Sequence, residues 1–141
     1  MRISSTTGEL EIGQPEIRIG PSLTKDAFVE SRLGQTCKRG VTNQEYATYS
    51  LSLKDAQNEF GLSLVFREQR LFMISIEMLS AKQSWANWSE EEELRRRVAH
   101  DHLLAASLGK PPYRYRWGEV LSLYDPRSGV SSIAIRYALS R

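Results

Sequence analysis

The stretch that decides the fold is Leu62-Ser63-Leu64-Val65-Phe66-Arg67-Glu68-Gln69-Arg70-Leu71-Phe72-Met73-Ile74-Ser75-Ile76-Glu77-Met78. Leu62, Leu64 and Phe66 alternate with Ser63, Val65 and Arg67. Phe72, Ile74, Ile76 and Met78 then alternate with Met73, Ser75 and Glu77. A side-chain period of two gives each run one core face, so both read as strands. A two-residue loop at Glu68-Gln69 pairs Phe66 with Leu71 and turns Phe72, Ile74 and Ile76 to the Ser63/Val65 face. A three-residue loop, Glu68-Gln69-Arg70, pairs Phe66 with Phe72, Leu64 with Ile74 and Leu62 with Ile76. It keeps all six apolar side chains together, so it is the expected register.

Upstream, Glu45–Leu53 alternates too, with Ala47, Tyr49, Leu51 and Leu53 on one side. Residues 34–44 have loop composition. A helix is expected over 25–33, capped by Thr24, stapled by Leu23 and Phe28, and ended by Gly34 in a left-handed C′ position. Glu9–Ile12 and Glu16–Ile19 flank Gly13-Gln14-Pro15 as an opening hairpin. Downstream, Ser89 followed by Glu90–Glu93 is a capping-box pattern that starts a long helix, which Gly109 and Pro111 stop. Glu91/Arg95, Glu92/Arg96 and Glu93/Arg97 each add about 0.3 kcal/mol as i,i+4 pairs. Trp85 and Trp88 read as lids on the core. A last hairpin turns at Asp125–Gly129 and pairs Leu121 with Ile133.

The order ββ-α-βββ-α-ββ reads as α+β. The expectation is one domain over 1–141: a single twisted, mainly antiparallel sheet of about seven strands, with two helices packed on one face. The other face would be rich in hydroxyls, with Thr48, Ser50, Ser52, Ser63, Ser75 and Ser122 beside Tyr46, Arg67, Glu77 and Arg136. It is either a wet surface or a platform for a macromolecule.

The chain has 141 residues, 40% of them hydrophobic and 26% charged, which excludes wholesale disorder. The net charge of +2 is unevenly spread: residues 1–53 sum to 0, 54–93 to −4 and 94–141 to +6. Cys37 is the lone cysteine, so no internal disulfide forms. The first residues are polar, and the longest apolar run, Leu71–Met78, is too short to span a bilayer. A cytoplasmic location without membrane partners is the expectation.

Chemistry is sparse. On a helical wheel, Leu94, Val98, Ala105 and Leu108 form a stripe with Asp101 in its middle. Asp101 therefore reads as a buried structural carboxylate, with His102 at the stripe edge and His100 toward solvent. The sharper alternative is a small hydrolase centred on Asp101 and His102. The histidines at 100 and 102 lie 200° apart on the wheel, so they do not share a metal, and no cofactor or phosphate loop is expected. The segment Tyr113-Arg114-Tyr115-Arg116-Trp117 interleaves cations with aromatics. It suits a binding surface, with Arg127 and Arg136 as further candidates, or equally an edge strand with solvated arginines.

The stretch from Trp85 to Leu94, then His100-Asp101-His102-Leu103-Leu104, Pro112–Gly118, Tyr124–Gly129 and Ser131-Ser132-Ile133 resembles a group of small uncharacterised bacterial proteins. The resemblance spans about residues 43–138 and implies no activity. In size and fold class the chain is also similar to immunity proteins of bacterial toxin systems, an analogy of scaffold alone. The resulting expectation is a non-catalytic protein-binding module facing an acidic partner. Single-stranded nucleic-acid binding and the hydrolase are the alternatives.

Overall fold

The computed structural model describes residues 1–13, 15–79 and 89–138. The fold is α+β, built on two antiparallel sheets. A small sheet is formed by β1 (Arg2–Ile3), β2 (Leu10–Ile12) and β3 (Ile17–Ile19). Three helices follow the order α1 (Lys25–Glu30), α2 (Arg32–Thr36) and α3 (Glu90–Leu108). The main sheet holds β4 (Lys38–Thr42), β5 (Tyr46–Lys54), β6 (Glu59–Arg67), β7 (Arg70–Leu79), β8 (Tyr113–Tyr115), β9 (Gly118–Asp125) and β10 (Val130–Tyr137). Its order is β4-β5-β6-β7-β10-β9-β8. The expected single sheet is thus two, because the opening hairpin gains β1 and packs on the main sheet instead of extending it. Gln14 of that hairpin, and Trp85 and Trp88, lie outside the described residues.

The β6–β7 hairpin combines both expected registers. Arg67 pairs with Arg70 across the two-residue turn Glu68-Gln69, and Phe66 pairs with Leu71. A bulge then sets Val65 against Met73, which restores Leu64↔Ile74 and Leu62↔Ile76. The extra residue lets Leu71 and Ile74 share the core face and sends Phe72 to the other, where it meets Tyr46 edge-on at 5.8 Å. The terminal hairpin is one residue out from expectation. Ile133 faces Ser122 and Ala134 faces Leu121, leaving a four-residue turn. The slip brings Ser122 to the core side and puts Leu121 and Leu123 on the open face.

The expected helix over 25–33 is broken at Ser31. Its Oγ donates to the Phe28 carbonyl at 2.5 Å and accepts from the Gly34 N–H at 3.2 Å, so it ends α1 and starts α2. Gly34 is not a left-handed stop. It is required for close approach, since a Cβ there would sit 2.0 Å from the Phe28 oxygen. β4 lies within residues 34–44, whose composition is that of a loop. All five of its residues are exposed, so it carries no alternation and is strand only by pairing with β5.

The core lies between the main sheet and the layer of helices and small sheet. Phe28 of α1 meets Tyr49 at 5.3 Å and Phe66 at 5.7 Å. Ile3, Leu10, Ile12 and Ile19 close the core from the small sheet, and Leu104 closes it from α3. The Tyr137 hydroxyl donates to the Gly8 carbonyl at 2.7 Å, tying the two sheets together.

Candidate functional site

The helices and small sheet cover one side of the main sheet, with α2 reaching one edge. The other side carries the candidate site. Its rows follow from the register. Lys38, Ser50, Ser63, Ser75, Ala134 and Leu121 are successive neighbours across six strands. The adjacent row runs Ser52, Gly61 and Glu77. Because the serines, Gly61 and Ala134 in these rows are small, the face sinks into a trough of about 920 Å³ that reaches from Lys38 to the β9–β10 turn at Ser128. Of the hydroxyls assigned to this face from sequence, only Ser122 is misplaced. Its Oγ is buried on the core side without a hydrogen bond among the described residues.

Glu77 stands on the trough floor and is half-buried. Among the described residues no hydrogen bond or ion pair reaches it. Burial pushes its carboxyl above the ordinary range, against the pull of Arg96 and with the push of Glu93.

A second polar cluster lies on the core side, under α3, and it corrects the helical wheel by one residue. Glu93, His100 and Leu104 are buried. Asp101 and His102 are exposed, and Leu94 and Val98 are 43% and 54% exposed. The physical reason is a gap in the sheet. β7 and β10 pair as far as Ile76↔Ile133; two residues further, the register would oppose Met78 and Ser131. Instead the Ser131 N–H donates to Glu93 Oε2 at 2.9 Å, and the Met78 N–H donates to His100 Nε2 at 3.1 Å. The Ser131 hydroxyl donates to the Glu93 carbonyl, and Arg96 ion-pairs with Glu93. Helix side chains thus complete two places in the ladder, and a backbone donor needs a polar partner there. Leucines would leave those donors unpaired, so the polar residues of this helix turn inward.

His100 is fully buried and its Nδ1 has no partner among the described residues. Desolvation first, and Arg96 second, lower its pKa from 6.5 to about 4, while Asp101 and Glu93 pull the other way. Its neutral form is the one the folded state holds. The resulting stabilisation is complete above pH 6.5 and is lost as pH falls toward about 4. The gap is worth about 3 kcal/mol. Denaturant unfolding of wild type and His100→Gln at several pH values checks it: the acid-dependent loss is expected to shrink in the variant, and equal pH profiles would contradict it.

The six candidate binding residues do not converge. Tyr113 is buried, and its hydroxyl donates to the Gly109 carbonyl at 2.9 Å. Tyr115 stacks on Trp117 at 5.0 Å and 9°. Trp117 in turn leans on Tyr137 and donates from Nε1 to the Ser5 carbonyl at 2.8 Å. The segment is an edge strand in which Tyr113 is buried and the half-buried Tyr115 and Trp117 rings are stacked on each other. Arg114 and Arg116 remain exposed. Arg136 lies on the open face, 3.7 Å from Glu119, while Arg127 belongs to the turn at the far end of the hairpin. Asp101 and His102 are exposed on α3 and are not among the residues that line the trough. Among the described residues no group of three His, Cys, Asp or Glu is placed to hold a metal. No described helix is long and apolar enough to cross a membrane. Compared with known protein families, curated proteins and solved structures, the chain matches none.

Proposed function

We propose that the chain is a non-catalytic protein-binding module, of the inhibitor or immunity type, that receives its partner on the open face of the main sheet. The observation that carries this reading is the trough of about 920 Å³ on the side of the sheet away from the core. Seven strands span about 30 Å and eight-residue strands about 25 Å. That area is comparable with the roughly 800 Å² each partner contributes to a standard interface. Arg114 and Arg116 at the β8 edge, with Arg136 on the face itself, suit an acidic partner surface around the rim. The rings that would stack on bases are engaged internally, so a protein partner is favoured over single-stranded nucleic acid.

The test uses the immobilised chain and a lysate of its own cells. Wild type is expected to retain a protein that Ser63→Arg and Ser75→Arg lose, while Leu94→Arg on the outer side of α3 keeps it. Circular dichroism confirms that all three variants fold. Retention by the Ser63 variant, or no retained protein, would overturn the reading. Retention abolished by nuclease would assign the surface to nucleic acid instead.

A further inference from the structure

We propose that Glu77 is the anchor of this docking face: the trough receives a lysine or arginine side chain of the protein partner, which ion-pairs with the Glu77 carboxylate. The inference rests on the open face being the docking surface, and it adds the chemistry of the group that enters it.

Three features carry it. The first is an unmet charge. Among the described residues Glu77 has no hydrogen bond or ion pair, and the nearby Arg96 is committed to Glu93. A half-buried carboxylate without a partner is a standing cost that a cation relieves. The second is space. Gly61, directly across from Glu77 on β6, has no side chain; a Cβ there would meet Leu79 Cδ2 at 3.4 Å and Glu77 Cγ and Oε1 at 3.5 Å. The carboxylate therefore lies over bare backbone, with Ser52, Ser63 and Ser75 around it to accept the remaining N–H groups of a guanidinium or ammonium. The third is the position of the chain's own cation in the trough. Lys38 sits on β4, three strands from β7 and so about 14 Å away across the sheet. It marks the rim and leaves the acidic centre unneutralised.

The shape favours a side chain over a free amine. The trough is open along its length, and none of its lining residues is aromatic, so it has no cage for a small cation. A free amine there stays hydrated. A side chain arrives with its flanking peptide groups, which, like a larger docked surface, displace water beside Glu77, and its ion pair there strengthens.

The probes are two blocked peptides, acetyl-Gly-Arg-Gly-amide and acetyl-Gly-Gln-Gly-amide, titrated into the labelled chain and followed by amide NMR. The arginine peptide is expected to give saturable shifts at Gly61, Ser63, Ser75 and Ser132, and the glutamine peptide none. Glu77→Gln, with its other resonances native, is expected to bind the arginine peptide about tenfold more weakly. Absence of saturable shifts, or undiminished binding by the variant, would overturn the proposal. So would shifts produced by spermidine and not by the peptide, which would assign the trough to a free amine. The captured protein separates the two readings. If Ser63→Arg loses it and Glu77→Gln keeps it at full affinity, the docking face stands and the anchor falls. If both variants keep it, the face itself is wrong.

Discussion

Glu93→Ala is expected to lower the unfolding free energy by about 3–5 kcal/mol, the range for breaking a buried pair by removing one partner. The Glu93 side chain is 2% exposed and that of Arg96 is 10% exposed. Truncation strands the Arg96 guanidinium and leaves the Ser131 N–H without an acceptor at the place where β10 has parted from β7. The control is Glu92→Ala, one residue away on the same helix. Glu92 pairs with Arg95 at 2.9 Å, but both side chains are at least 60% exposed. Exposed pairs contribute about 0.2–1 kcal/mol. Urea unfolding of both variants measures the contrast. Equal losses would mean that Glu93 is not completing the ladder.

Phe66→Ala is expected to cost about 3–5 kcal/mol, whereas Phe72→Ala is expected to cost about 1 kcal/mol. Phe66 is fully buried and lies within 6.0 Å of both the Phe28 and Tyr49 rings. Its loss opens a cavity between the rigid rings of Phe28 on α1 and Tyr49 on β5, which cannot close up cheaply. Phe72 is half-buried on the open face, touching Tyr46. The comparison also tests the bulge. Had the hairpin kept the register that pairs Phe66 with Phe72, the two substitutions would cost alike.

That bulge marks a limit of sequence reading. Alternation placed Leu62, Leu64, Ile74 and Ile76 on one face, and the structure agrees. It also separated the serine-rich side from the core, so Ser50, Ser52, Ser63, Ser75 and Glu77 of the trough are legible from alternation, while the depression itself and its ends at Lys38 and Ser128 are not. It could not decide between two turns that each satisfied part of the pattern. The protein takes the shorter turn and absorbs the mismatch with one extra residue. In the last hairpin the same difficulty produced a one-residue error, because Leu121 and Leu123 fit an apolar face better than the Ser122 that occupies it.

The helix α3 was located well and oriented wrongly. Its start at Ser89, with the side chain accepting from the Glu92 N–H, and its end at Gly109 are local matters of capping. Its inward face is not local. Leu94 and Val98 are the apolar choice for burial, yet Glu93 and His100 are buried, since the surface they meet is an open pair of strand N–H groups. A hydrophobicity wheel has no term for an unfilled ladder. The same blindness made Asp101 look buried and His100 exposed.

Local chemistry written along the chain therefore determined the strands with strong alternation, the caps, the α+β class and the polar side of the sheet, because each depends on residues a few positions apart. Only the tertiary structure decided where β7 parts from β10, which face of α3 plugs that gap, and that Glu77 stands unpaired in a trough. Each of these depends on which backbone donors and charges remain unmet once distant segments meet, and that balance exists only in the folded chain.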